Sequence, residues 1–170
     1  NGQDVSSEFY APVLNGGSLD FDTQRFLTPL YVTGQGGIID NQSIEGESRY
    51  LEGGIFPAGD PGSGRIEFTG FGDTHLAGEN NYLGEILVKQ GVLVIDDKAA
   101  SPKGRIVVND DAILRLKGDD IGTKGNIVLK EGSKIGFWGE LARLHGDIEL
   151  EGGQAQIYVD TKLGRPDRNE

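Results

Sequence analysis

The sequence has no cysteine and no methionine, and its 170 residues include a single tryptophan and two histidines. Without cysteine, the chain has no disulfide and no thiolate ligand for a structural zinc site. A protein that crosses a membrane unfolded also benefits from lacking thiols, since no premature disulfide can form. Because the chain contains no initiator methionine, we expect it to be a piece of a longer protein.

Positive charge and long apolar runs are also scarce. Lys and Arg number 16 against 27 Asp and Glu, so the formal net charge is −11. Such a chain repels phosphate backbones and anionic membrane surfaces. No apolar run approaches the roughly 18 residues of a membrane-spanning helix. We therefore expect no nucleic-acid partner and no membrane insertion by this segment.

Glycine is abundant instead, with 28 residues, and it marks an internal repeat. Five segments begin with Gly and carry Ile two residues later. They are residues 64–68, 84–88, 104–108, 125–129 and 146–150. The leading glycines recur every 20 or 21 residues, and repeats of this length are typical of solenoids.

Two weaker segments, residues 17–21 and 37–41, extend the repeat toward the N-terminus. Across all seven segments the position two residues after the Gly is aliphatic: Leu19, Ile39, Ile66, Ile86, Ile106, Ile127 and Ile148. The longer gap between Gly37 and Gly64 predicts an insertion within residues 45–63. The expected organisation is N-terminal coils with this insertion over 1–63, regular coils over 64–161 and a polar tail over 162–170.

Each repeat also holds a second short apolar piece, such as residues 92–95 after Gly91. The unit is therefore strand, tight turn, strand and longer turn, and it is too small to bury its own apolar side. Stacking of the units predicts an all-β fold, a right-handed parallel β-helix (β-solenoid) of about seven coils of 20–21 residues. An antiparallel meander or sandwich with regularly spaced hairpins is the alternative.

One stretch of the repeat, residues 66–97, resembles the passenger-associated repeat of bacterial autotransporters. The resemblance rests on a turn with the pattern Leu-x-Gly-x-Asn-x-Tyr-x-Gly, whose residues here are Leu76, Gly78, Asn80, Tyr82 and Gly84. It covers residues 66–97 closely and the coils up to about Thr161 loosely. The resemblance implies a passenger segment that is secreted or displayed on the surface of a Gram-negative bacterium. In such proteins the C-terminal coils often help the passenger to fold during export.

The side chains that carry chemistry are thinly spread along the sequence. His75 and His145 lie 70 residues apart, so we interpret them as solvated turn histidines rather than one site. Acid pairs recur at Asp96–Asp97, Asp110–Asp111 and Asp119–Asp120, where turn-favouring Asp is preferred over a calcium site or a pair of glycosidase carboxylates. We assign no catalytic, cofactor-binding or metal-binding residue from the sequence.

Two further features of the sequence are candidate binding surfaces. Phe137 and Trp138 interrupt the final coils, and core or edge packing is preferred over stacking on a sugar or a protein. The insertion near Tyr50 and Phe56 is the best candidate for a functional loop, because solenoid insertions project on one face.

The function expected from these observations is that of a non-catalytic β-helical passenger segment, acting as a stalk or adhesin scaffold and as a folding nucleus for secretion. The alternative is a fragment of a β-helical polysaccharide-active enzyme or a carbohydrate-binding module. The expected partners are a host-surface protein or glycan, the neighbouring coils of the parent chain, and other copies of the chain through unpaired strand edges. No cofactor is expected.

Overall fold

The structure is a computed structural model that describes residues 11–20, 23–60, 64–96, 100–118, 123, 125–139 and 146–159. All of the regular secondary structure within these ranges is β-strand. All of the strand pairs are parallel, and strands that are neighbours in a sheet are never consecutive in the chain. This arrangement is a β-solenoid, as the repeat predicts.

Two long sheets of seven strands form the two main sides of the solenoid. The first long sheet contains, in spatial order, β2 (Ser18–Asp20), β5 (Gly37–Asn41), β8 (Arg65–Gly70), β10 (Glu85–Val88), β12 (Ile106–Val108), β14 (Ile127–Lys130) and β16 (Ile148–Glu151). The second long sheet contains β3 (Arg25–Phe26), β6 (Ser48–Leu51), β9 (Asp73–Leu76), β11 (Val92–Ile95), β13 (Ile113–Lys117), β15 (Lys134–Trp138) and β17 (Gln156–Val159). Each coil contributes one strand to each long sheet, so the sheets contain seven coils. The chain makes six full turns between the first and the last of them.

The repeat produces stacking because identical side chains meet at the same height of successive coils. Ile66, Ile86, Ile106, Ile127 and Ile148 pair in register along the first long sheet. The first four of these isoleucines are completely buried. Burying one such side chain stabilises the fold by about 1.5–3 kcal/mol. The core is therefore a continuous column along the solenoid axis.

A third, short sheet closes the first three coils and was not predicted from the sequence. It consists of β1 (Val13–Leu14), β4 (Leu30–Val32) and β7 (Ile55–Pro57). The predicted insertion at residues 45–63 contains all of β6 and β7, so the residues of these two strands belong to the sheets. The extra length of this coil includes the connection between β5 and β6, where Ile44 is 70 % exposed.

One predicted register is wrong by two residues. The repeated glycines align Ile39 with Ile66, whereas the structure pairs Ile39 with Phe68 and Gly37 with Ile66. A shift of two residues keeps each side chain on the same face of a strand, so Ile39 stays buried. The glycine spacing alone did not show this shift because Ile39 pairs with a buried apolar side chain in both registers.

Candidate functional site

The turn that carries the family resemblance forms a buried corner between β9 and β10. Leu76, Asn80 and Tyr82 are at most 2 % exposed, and the backbone N–H of Tyr82 donates to Asn80 Oδ1 at 3.0 Å. Burial raises the pKa of the Tyr82 hydroxyl. A Cβ on Gly78 would lie 2.2 Å from the carbonyl oxygen of Glu52 in the preceding coil. Close stacking of coils explains this motif, and its side chains do not line a surface site.

The outward side chains of the second long sheet form a row along the solenoid axis, with one residue per coil. This outer row contains Arg25, Tyr50, His75, Val94, Arg115, Gly136 and Tyr158, which pair in register from β3 to β17. Neighbouring strands lie about 4.8 Å apart, so the row is about 29 Å long. It brings together aromatic and charged residues that are far apart in the sequence.

The N-terminal half of the outer row is organised around His75, which lies in β9 and is only 7 % exposed. Its imidazole packs on the ring of Tyr50, with the ring centroids 4.4 Å apart. Its Nδ1 lies 2.9 Å from Asp96 Oδ2, and Lys117 Nζ donates to the other oxygen of Asp96 at 3.2 Å. The expectation that His75 is a solvated turn histidine is therefore wrong.

The environment of Asp96 determines its protonation. Burial on its own would raise the pKa of the carboxyl group, but the hydrogen bond and charge of His75 and the ammonium group of Lys117 more than offset this. The pKa of Asp96 is therefore lowered, and the carboxylate form is stabilised. The ring of Tyr50 and the carboxylate of Asp96 thus hold the imidazole of His75 in place.

The C-terminal half of the outer row contains a shallow cleft, the Arg115 cleft, with a volume of about 70 Å³. It is lined by Arg115, Gly136, Phe137, Trp138 and Tyr158. The Arg115 guanidinium lies 5.5 Å from the centre of the Trp138 ring, and its Nε donates to the Tyr158 hydroxyl at 3.5 Å. These contacts join three successive coils.

Two features shape the Arg115 cleft. Arg115 NH1 donates at 2.8 Å to Asp73 Oδ2, two strands back, so the arginine crosses over Val94, which is 1 % exposed. Gly136 has no side chain where the ring of Tyr158 lies, and a Cβ there would be 2.4 Å from that ring. The absence of a side chain at Gly136 thus leaves room for the ring of Tyr158.

The other predicted candidates have separate locations. Phe137 packs against the core, as the interpretation of core or edge packing predicts, whereas Trp138 lies on the outward side of the sheet beside Lys117. Asp110 and Asp111 occupy a turn, as turn-favouring Asp predicts. His145, Asp97, Asp119 and Asp120 lie outside the described residues. Among the residues that are described, no group of three or more His, Asp or Glu side chains is placed to hold a metal ion.

Arg115 and Tyr158 were missed as candidate residues. A usable signal was present, because Gly136 and Tyr158 follow Arg115 at steps close to the 21-residue coil length. Residues separated by one coil length lie side by side on the solenoid surface.

Comparison with known proteins found no matching protein-family model, no matching curated protein and no matching solved structure. In the described part of the chain, no helix has the length and apolar character needed to cross a membrane.

Proposed function

We propose that this chain is a non-catalytic scaffold segment of an exported, surface-displayed bacterial protein of the autotransporter kind. It acts as a stalk and as a folding nucleus for neighbouring coils. The resemblance of the Leu76–Gly84 corner to the passenger-associated repeat supports the export context. The stacked core supports the scaffold role, because a solenoid that contacts only its neighbouring coils can be extended without a change of fold.

The exposed end of the core is the observation that carries the proposal. In the last coil Leu150, Ile157 and Val159 are 58 %, 53 % and 64 % exposed. They pair in register with Leu129, Ile135 and Phe137 of the preceding coil, which lie in the core or pack against it. The core-facing side chains of this last described coil are thus left uncovered by the described residues.

A following coil is the natural partner for this surface. It would bury the three apolar side chains and pair with the outer edges of β16 and β17. Each aliphatic side chain that becomes fully buried contributes about 1.5–3 kcal/mol. Because the next coil gains this energy only on a coil that is already folded, a stable segment templates the growth of the array.

The test uses Ile157→Lys in the isolated chain and in the full-length parent protein. The matched control is Phe71→Lys, since Phe71 is 58 % exposed but lies in the turn after β8. We expect both variants of the isolated chain to unfold within about 0.5 kcal/mol of wild type, as is usual for exposed positions. In the parent, only Ile157→Lys should reduce export and resistance to protease.

The scaffold proposal also predicts the effect of a deletion in the parent protein. Deleting residues 64–159 should reduce the export of the parent or expose it to proteolysis. Normal export and protease resistance of both the deletion and Ile157→Lys would overturn the proposal.

A further inference from the structure

The Arg115 cleft has a chemical character that stacking of the coils does not require. Trp138 and Tyr158 lie on the outward side of the second long sheet and contribute no side chain to the core cluster. The Tyr158 ring lies against Gly136 and remains partly exposed on the outward side of the sheet. An outward aromatic face of this kind packs well against the apolar face of a sugar ring.

Three cationic side chains, Arg115, Lys117 and Lys134, lie in or next to this cleft, although the chain as a whole has a net charge of −11. Lys134 lies on the same outward side of β15 as Trp138, and Lys117 pairs with Trp138 in the neighbouring strand. Among the described residues, the carboxylates of Asp73 and Asp96 belong to earlier coils and are held by Arg115 at 2.8 Å and by Lys117 at 3.2 Å. Lys134 makes no ion pair with any described residue.

We propose that the Arg115 cleft binds a saccharide that carries a carboxylate, such as a hexuronic acid unit of an oligosaccharide. The sugar ring packs on the outward face of Tyr158, beside Trp138. Its carboxylate accepts hydrogen bonds from the Lys134 ammonium and from the terminal nitrogen of Arg115 that does not bond Asp73. The ion pair with Asp73 and the contact with Trp138 already hold the guanidinium in place, so little side-chain freedom is lost on binding.

This proposal is independent of the scaffold role. All of the cleft residues lie in β13, β15 and β17, so saccharide binding does not depend on how the parent protein is exported. The residues of the cleft lie on β-strands, which hold binding residues more precisely than loops do. The two proposals fail in different experiments.

The test measures binding by the intact chain at low and high salt. Trp138 is the only tryptophan, so the intrinsic emission of the chain reports directly on the cleft. The probes are an oligogalacturonate, its methyl ester of the same length, a neutral gluco-oligosaccharide of that length and sodium acetate. Isothermal titration calorimetry gives the dissociation constants.

We expect the oligogalacturonate to change the Trp138 emission saturably, with an affinity that falls as salt is added. The methyl ester, the neutral oligosaccharide and acetate should each bind at least about tenfold more weakly, which corresponds to one lost charged hydrogen bond. Equal binding of the acidic and neutral oligosaccharides, equal binding of acetate, or no saturable binding by the oligogalacturonate would overturn the proposal.

Variants locate the binding surface. Lys134→Gln and Tyr158→Ala should each weaken oligogalacturonate binding by at least about tenfold. Lys89→Gln is the matched control, because Lys89 follows β10 on the first long sheet and is 55 % exposed, away from the cleft. If Tyr158→Ala unfolds the last coil, Lys134→Gln decides, since Lys134 lies outside the core. An affinity in Lys134→Gln equal to that of Lys89→Gln would refute the site.

Discussion

The stacked isoleucines make one quantitative prediction about the stability of the solenoid. Ile106 lies in the middle of the column, is completely buried, and pairs with Ile86 on one side and Ile127 on the other. The perturbation is Ile106→Ala, and the matched control is Leu150→Ala in the last coil. Leu150 is also on a core-facing row, but it is 58 % exposed.

The expected loss follows from burial. Ile106→Ala removes three carbon atoms from a fully buried position, which costs about 2.4 kcal/mol at about 0.8 kcal/mol for each carbon. The cavity left between Ile86 and Ile127 cannot close easily, since hydrogen-bonded strands hold the coils apart, and it raises the loss to about 3–4 kcal/mol. Leu150→Ala leaves no enclosed cavity and should cost less than about 1 kcal/mol.

The assay is equilibrium unfolding in urea, followed by circular dichroism for the strands and by Trp138 emission for the second long sheet. The free energy of unfolding of the wild type, Ile106→Ala and Leu150→Ala is compared at the same protein concentration. A loss below about 1 kcal/mol for Ile106→Ala, or an equal loss for the two variants, would refute the continuous column.

Three further predictions concern single positions. Gly78→Ala should destabilise the chain by about 3 kcal/mol in urea unfolding, because its Cβ would clash with the Glu52 carbonyl; a loss below about 1 kcal/mol would contradict the close stacking of that corner. Asp111 has a φ of 58°, a backbone conformation that glycine adopts more easily than other residues. Asp111→Gly should therefore raise the free energy of unfolding by up to about 1 kcal/mol and raise the thermal midpoint, whereas Asp111→Ala should not. A lower midpoint for Asp111→Gly would count against backbone strain at this position. Because the pKa of Asp96 is lowered by His75, the pair stabilises the fold above the unfolded pKa of about 3.9, and this contribution is lost as the pH falls through the folded pKa. Asp96→Asn should therefore be less stable than wild type at pH 7 and should lose less stability between pH 5 and 2, and parallel pH profiles would contradict this coupling.

The fold was predictable to the extent that one signal repeats along the chain. Ile66, Ile86 and Ile106 recur at a fixed step, and a step of about 20 residues is long enough for two strands and two turns. The regular coils and the buried positions follow directly from this pattern. The register of Ile39 did not, because two registers that differ by two residues bury the same kind of side chain.

The candidate site was harder to predict, because its residues are unremarkable along the chain. Arg115 stands between two leucines as an ordinary outward residue, and Tyr158 lies in the last strand. Their shared surface exists only once β13, β15 and β17 are placed side by side. His75 was misassigned because its local sequence resembles a turn, whereas its burial comes from Tyr50 and Asp96 in the adjacent coils.

The sequence by itself determined that the chain forms stacked parallel coils, because a short unit with apolar strands can bury them only against copies of itself. It also determined which side of most strands faces inward, since the alternation of apolar and polar residues has the period of a strand. The tertiary structure alone decided the third sheet of the first coils, the register at Ile39 and the assembly of the Arg115 cleft. These features depend on contacts between coils, and the strength of such contacts is set by how side chains one turn apart fit together.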